Sequence, residues 1–412
     1  MPAGEGAGGM IWAMTSAVED VVIVGAARTA IGRYGGAFRD VHPAELGAVA
    51  LRAALARAGV AAEAVDEVII GHARQGGSGP NPARQVGRRA GLPDAAPAQT
   101  INKACASGLQ AIASAAQSIA LGESAVVAAG GIESMSRMPY LVDAADARWG
   151  HRMGNFTLVD AMYRDGFTCS LSGLVMGETG EELARQYGIS REASDAYALE
   201  SQRRAATAVA EGRFTREIAP VSVTDAKGRT TVVAADEHPR PETTLAGLAK
   251  LAPVFDGGII TAGSSSGITD GGAAVLLMSG ARAGALGAKP LARIIGWVSA
   301  GVDPRIMGIG PVPAMRRLFA RTGLSMNDFD LVELNEAFAP QVLAVLQDEP
   351  IAADRLNVNG GAIALGHPIG CTGTRIVVTL LHELLRRGAR RGLATLCVSG
   401  GMGMALAIER VS

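Results

Sequence analysis

Apolar runs and helix-period stretches alternate along the chain from residue 20 onward. "DVVIVGAART" (20–29) is apolar almost throughout, as a strand covered on both faces must be. "AELGAVALRAALARAG" (44–59) repeats its apolar positions every three or four residues, as an amphipathic helix does. "LQAIASAAQSIALG" (109–122) predicts a second helix, and "ESAVVAAGG" (123–131) and "LARIIGWVSAG" (291–301) predict further strands. This alternation implies an α/β protein with a mixed, mostly parallel sheet and helices on its faces.

The pattern occurs twice. "AGVAAEAVDEVIIGHA" (58–73) aligns without gaps with "TGLSMNDFDLVELNEA" (322–337), matching Gly59 to Gly323, Asp66 to Asp330 and Val68 to Val332. Cys105 and Cys371 recur at nearly the same offset, each opening a helical pattern that leads to a strand ending in Gly-Gly. A duplicated unit fixes the architecture: each half reads as strand, helix, strand, helix, strand, and two halves packed through their helices would share one central helical layer. Between them the texture changes to charged helical stretches such as "SREASDAYALESQRRAATAVAEG" (190–212) and turn-rich links such as "DEHPRPETT" (236–244). The expected organisation is a flexible leader at 1–19, an N-terminal half at 20–137 and 262–288, an inserted loop domain at 138–261, and a C-terminal half at 289–412. Loops at strand ends usually carry ligand contacts, so the insertion is where they are expected.

Composition narrows the class. The chain has 412 residues, 48% hydrophobic and only 19% charged, with 54 glycines, which suits a buried sheet covered by small-residue helices. Lys and Arg number 38 against 39 for Asp and Glu, so no dominant field supports a nucleic-acid or membrane partner. Cys105, Cys169, Cys371 and Cys397 share no CxxC spacing, which implies neither a zinc cage nor a disulfide framework and fits a reducing cytoplasm. No apolar stretch reaches membrane-spanning length uninterrupted, so a soluble protein is expected.

Four segments carry candidate chemistry. In "NKACASG" (102–108), Cys105 follows an extended segment and precedes a helix. Free amides and the helix dipole there favour a thiolate, and small neighbours leave room for an acyl group; the alternative is a small buried hydrophobe. "NVNGGAIALGHPIGCTGTR" (357–375) puts His367 on a Gly-rich loop, where it could act as a base or be an ordinary packed histidine. If the halves pack about a pseudo-twofold axis, that loop comes toward Cys105. "LCVSGGMGMA" (396–405) ends a strand at Cys397 in a turn whose amides could form an oxyanion hole. "ELNEAFA" (333–339) sets Asn335 at the end of an apolar strand, to hold a water or carbonyl oxygen or to cap a helix.

Together "NKACASGLQAI", "GGIESMS", "NEAFA", "NVNGGAIALGHPIGCTGTR" and "CVSGGMGMA" resemble the thiolase family, the acetyl-CoA acetyltransferases and 3-ketoacyl-CoA thiolases, in order and spacing from about Asp20 to the C-terminus. The resemblance implies a duplicated five-layered αβαβα fold, a homotetramer or homodimer, and no cofactor beyond coenzyme A thioesters as substrates. It implies that Cys105 is the acyl-accepting nucleophile, that His367 takes its proton, and that Cys397 is the second acid/base. Asn335, through a water, and His367 would form one oxyanion hole; the amides of Cys105 and of the Ser399-Gly400 turn would form the other. Ser266 would contact the pantetheine arm, with Phe167, Met176 and Phe338 along its path. Cys371 would be structural.

The chain departs from the family's pattern at Val175-Met176-Gly177, where His-Met-Gly is frequent, at Ser399, where glycine is usual, and at "SSSGITDG", where an asparagine is usual. The missing histidine at Val175 leads to the expectation of a broader 3-ketoacyl preference, while the other two departures remove no catalytic group. The competing readings are a decarboxylating ketoacyl synthase-like enzyme, against which Cys397 beside "GHPIG" counts, a non-catalytic acyl-CoA or lipid carrier, and a redox pair of Cys105 with Cys397.

Overall fold

Strands form where the apolar runs lie, and the two repeats take up matching places. The computed structural model describes residues 20–411; the leader expected at 1–19 lies outside the described residues. The principal strands are β1 (Val21–Thr29), β2 (Glu67–His72), β3 (Ala98–Ile101), β4 (Val126–Ser134), β5 (Thr269–Ser279), β6 (Ala292–Gly301), β7 (Leu331–Leu334), β8 (Arg391–Val398) and β9 (Met402–Arg410). The helices that matter here are α1 (Pro43–Ala58), α2 (Ser107–Ala120), α3 (Met176–Gln186), α4 (Arg191–Ala210), α5 (Pro311–Thr322), α6 (Ala339–Asp348) and α7 (Ile369–Arg387).

The strand order is β7-β8-β9-β6-β1-β5-β4-β2-β3, so β6, β7, β8 and β9 repeat the arrangement of β1, β2, β4 and β5. Only a short antiparallel pairing, Val22 with Arg293 and Ile23 with Ala292, joins the halves edge to edge. The matched residues of the repeat do matched work. Gly59 and Gly323 end α1 and α5 in the left-handed conformation, at φ 65° and 72°, where a side chain would be strained. Asp66 accepts from the amides of Ala125 and Val126 at the start of β4, and Asp330 accepts from those of Arg390 and Arg391 at the start of β8.

Among the principal strands, parallel pairing is confined to β2 with β3 and β4, and to β7 with β8, while the short strand Ile218–Ala219 also runs parallel to β1. The other principal pairs are antiparallel, which corrects the mostly parallel expectation. The reason is local: β8 and β9 are joined by a tight turn, and a hairpin can only run antiparallel.

Three cores separate the layers. One joins α1 to one face of the N-terminal sheet, and another joins α5 and α6 to the C-terminal sheet. The third packs α2 and α7 between inner strand faces of both halves. The outcome is helix, sheet, helix pair, sheet, helix. Segment 138–261 contributes α3, α4 and two small hairpins.

The central pair crosses without room for side chains. A Cβ on Gly373 would stand against the Leu109 backbone nitrogen and 2.8 Å from its Cβ, while one on Gly108 would stand 2.6 Å from Thr374 Oγ1. Thr374 Oγ1 donates across the crossing to Gly108 O at 3.0 Å. Gly373→Ala is therefore expected to lower stability by about 1–3 kcal/mol or more. Gly284→Ala, in a helix where a Cβ meets nothing within 4 Å, should be neutral or raise stability by up to about 1 kcal/mol. Chemical denaturation of the two variants beside the parent checks both.

Candidate active site

Cys105 stands two residues ahead of α2 because the chain makes a forced turn before the helix. Ala104 has φ 45°, an uncommon value for a residue with a side chain. Side chains on either side hold it. Asn102 Oδ1 accepts from Ala104 N at 3.0 Å and its Nδ2 donates to Ala73 O at 3.1 Å. Ser107 Oγ accepts from Lys103 N at 2.8 Å and donates to Ala104 O at 2.7 Å.

The turn presents Cys105 to a cleft of about 520 Å³, whose wall also carries Phe167, Met176, Ser266, Phe338 and Ser399. Asn335, His367 and Cys397 are buried just behind this wall, each two residues before a lining residue: Ala337, Ile369 and Ser399. Cys397, at the end of β8, packs with Met307 and Ala337 against Met176 and Phe338. A larger cavity of about 690 Å³, near Phe214 and Pro239, holds neither cysteine nor histidine in its wall.

Hydrogen bonds define the state of His367. Thr372 Oγ1 donates to Pro368 O at 3.0 Å and lies 2.6 Å from His367 Nδ1. With the hydroxyl hydrogen committed to Pro368, Nδ1–H is the donor and Nε2 carries the free lone pair. Nε2 is buried and has no partner among the described residues, as is true of both side-chain polar atoms of Asn335. Burial, with the positive charges of Arg375 and Arg74, holds the imidazole down to about 3. It is neutral at ordinary pH and able to accept a proton.

The thiols differ from the helix-based expectation. Burial pushes Cys105 up; Arg74 and the amides of Ser399 and Cys105 itself pull it down without reversing the shift. A helix terminus contributes about 0.3–1 kcal/mol, whereas burial can move a pKa by several units at about 1.4 kcal/mol each, so burial wins. Burial, then the negative charge on Cys105, raises Cys397 further. Cys371, inside α7, is buried and pushed up to about 12. Cys169 is buried by its loop; hydrogen bonds from Ser172, Leu171 and Gly400 outweigh that burial and draw it down. The amide of Ser399 is turned to Cys105 and that of Gly400 to Cys169.

Several site residues escape sequence reading. Buried Glu133 accepts from the amides of Gly370, at 2.9 Å, and Arg74, at 3.2 Å, tying the start of α7 to the end of β2. Buried Glu336 accepts from Tyr197 at 2.9 Å and Ser201 at 2.6 Å on α4, and from Asn357 Nδ2 at 2.9 Å. Their signal is an acid at the end of an apolar strand, Glu133 in "GGIESMS" and Glu336 in "ELNEAFA". Arg74, in "GHARQ", borders the cleft itself.

Comparison with known proteins follows the same lines. Residues 21–281 match the family model "Thiolase, N-terminal domain" and residues 288–410 match "Thiolase, C-terminal domain". An acetyl-CoA acetyltransferase of Chromobacterium violaceum is 52% identical over 392 residues, 95% of this chain and 100% of that protein. A probable acetyl-CoA acetyltransferase of Escherichia coli is 51% identical over 95% of this chain and all of its own length. The crystal structure of the Bacillus anthracis acetyl-CoA acetyltransferase superposes with TM-score 0.93 at 46% identity, covering 96% of this chain and 100% of that one. Human mitochondrial 3-ketoacyl-CoA thiolase gives 0.92 at 44% identity, with the same coverage.

The titration states give a pH prediction. With His367 neutral above about 3 and the Cys105 thiol raised, no thiolate–imidazolium pair forms between pH 6 and 8. Iodoacetamide should alkylate Cys105 about tenfold faster per pH unit through that range, following the thiolate fraction. A plateau below pH 7, read by peptide mass spectrometry, would mean that an ion pair exists.

Proposed function

The chain belongs to the thiolase family, and from that premise we propose how its residues divide the work of reversible acyl transfer between coenzyme A thioesters. It is an acetyl-CoA C-acyltransferase of that family. Claisen chemistry on a thioester needs a covalent acyl holder, a base for a weakly acidic C–H, and charge stabilisation for two oxyanions.

Cys105 is the nucleophile. His367 Nε2 takes the thiol proton, the sulfur bonds to the acyl carbonyl carbon, and the amides of Cys105 and Ser399 hold the oxyanion. In cleavage the C2–C3 bond of a 3-ketoacyl thioester then breaks, the departing enolate takes a proton from Cys397 to become acetyl-CoA, and the acyl group stays on Cys105. Free coenzyme A collects that group, its thiol proton restoring Cys397, and the released Cys105 sulfur takes its proton back from His367. In condensation the same steps run backward, with Cys397 removing the α-proton of acetyl-CoA. Asn335, through a water, and His367 polarise the thioester oxygen of that substrate. The observation that carries this reading is His367, whose Nδ1 is held by Thr372 while Nε2 remains free behind the wall that bears Cys105.

Ser266, Phe167, Met176 and Phe338 line the path of the pantetheine arm, and segment 138–261 is the inserted loop domain that receives coenzyme A. Exposed Arg33 and Arg240 at the cleft supply positive charge for its phosphates. A homotetramer or homodimer is supported by Tyr140, Trp149, Met153 and Leu171, large apolar side chains left exposed on the insertion. We place the enzyme in the cytoplasm and in fatty-acid metabolism, β-oxidation included; no helix among the described residues is long and apolar enough to cross a membrane.

Incubation with acetyl-CoA, an acid quench and peptide mass spectrometry should find acetyl on Cys105 and released coenzyme A. Cys105→Ala should abolish the adduct. Cys397→Ala should keep it while condensation falls by about 10²–10⁴-fold. No adduct with coenzyme A still bound, or an adduct lost equally in Cys397→Ala, contradicts the assignment.

A further inference from the structure

One buried charge at the cleft has no use in these steps. Arg74 lies two residues past β2, only 6% exposed, yet it lines the cleft alongside Cys105, Phe167 and Ile369. Its Nη1 donates to Asp165 O at 3.1 Å, its buried Nε has no acceptor, and it forms no ion pair with a carboxylate of the described residues. Gly166 lies flat against the guanidinium, where a Cβ would come 2.8 Å from Nε. Behind this part of the cleft wall lies an apolar core cluster of Ala73, Met135, Met162 and Ile369, with Cys105, Met138 and Phe167 packed on it.

A buried guanidinium without a counter-ion is costly unless a ligand completes it. The thiolate of Cys105 is a poor candidate, because the thiol stays raised despite Arg74 and His367 already receives its proton. A plain alkyl chain would do better against an apolar side chain at this position. Arginine's rigid fork fits a carboxylate, and the burial of Arg74 strengthens that contact.

We propose that Arg74 is a specificity-determining residue which receives the terminal carboxylate of the acyl group, so that ω-carboxyacyl-CoA thioesters and their 3-oxo homologues are preferred substrates. The carboxylate takes no part in bond making; the steps are those proposed above, and the inference rests on that reading.

The test is kcat/KM for thiolysis of paired 3-oxoacyl-CoA substrates ending in carboxylate or methyl, a length series beginning with 3-oxoadipyl-CoA and 3-oxohexanoyl-CoA. The wild-type enzyme should favour the carboxylate member of at least one pair by about 10–100-fold, the range of a charged hydrogen bond. Arg74→Met should erase that ratio and Arg74→Lys should retain part of it. A wild-type preference for the methyl member throughout, or an equal loss on both members in Arg74→Met, overturns the proposal. If acetoacetyl-CoA is cleaved and every carboxylate-ended substrate refused, this inference alone fails; if no substrate acylates Cys105, the underlying reading fails with it.

Discussion

The close crossing of α2 and α7 is the constraint from which the rest follows. The two helices can meet only because Gly108 and Gly373 leave no Cβ between them, and their starts come together as a result. One start carries Cys105 and the other carries the His367 loop. The proposed nucleophile of one repeat and the proposed base of the other are thus brought together by backbone proximity, and the sheets on either side keep the helices from sliding. Gly370 serves the same purpose at the first turn of α7, where a Cβ would stand 2.6 Å from Ile132 O and 2.7 Å from Ala73 N.

Burial then sets the chemistry. His367 and Cys397 lie behind the cleft wall and Cys105 within it, and the charged form of each is disfavoured there: imidazole is kept neutral and the thiols are kept protonated. Proton transfer between such groups needs no separated ions in the resting enzyme. In the proposed mechanism charge appears on the substrate oxygen, where the amides of Cys105 and Ser399, which face the thiol, would receive it. Glu133 makes this arrangement rigid by tying α7 to β2 through hydrogen bonds rather than through packing alone.

Features with local causes were legible from the amino-acid order. Gly59 and Gly323 end helices, Asp66 and Asp330 collect amides at strand starts, and both pairs betray the duplication because their reasons lie within a few residues. The candidate segments were equally readable, since each couples a reactive side chain to a turn. Long-range effects were not. Glu133 bonds to Gly370, 237 positions away, and Arg74 matters through a cleft built from distant segments. The Cys105 titration was misjudged because helix-end reasoning is local, while desolvation by the opposite half is not. The strand directions failed for a similar reason: alternation reveals the elements without revealing how the chain returns between them.

The short turn between β8 and β9 links two parts of the molecule that otherwise serve different ends. Ser399 directs its amide at Cys105, and the next residue directs its amide at Cys169, which belongs to the insertion. The two peptide planes meet at a single Cα, so the loop bearing Cys169 and the donor facing Cys105 rest on one tight turn. The turn is thus a shared footing, through which the C-terminal sheet reaches Cys105 and the insertion with neighbouring peptide units.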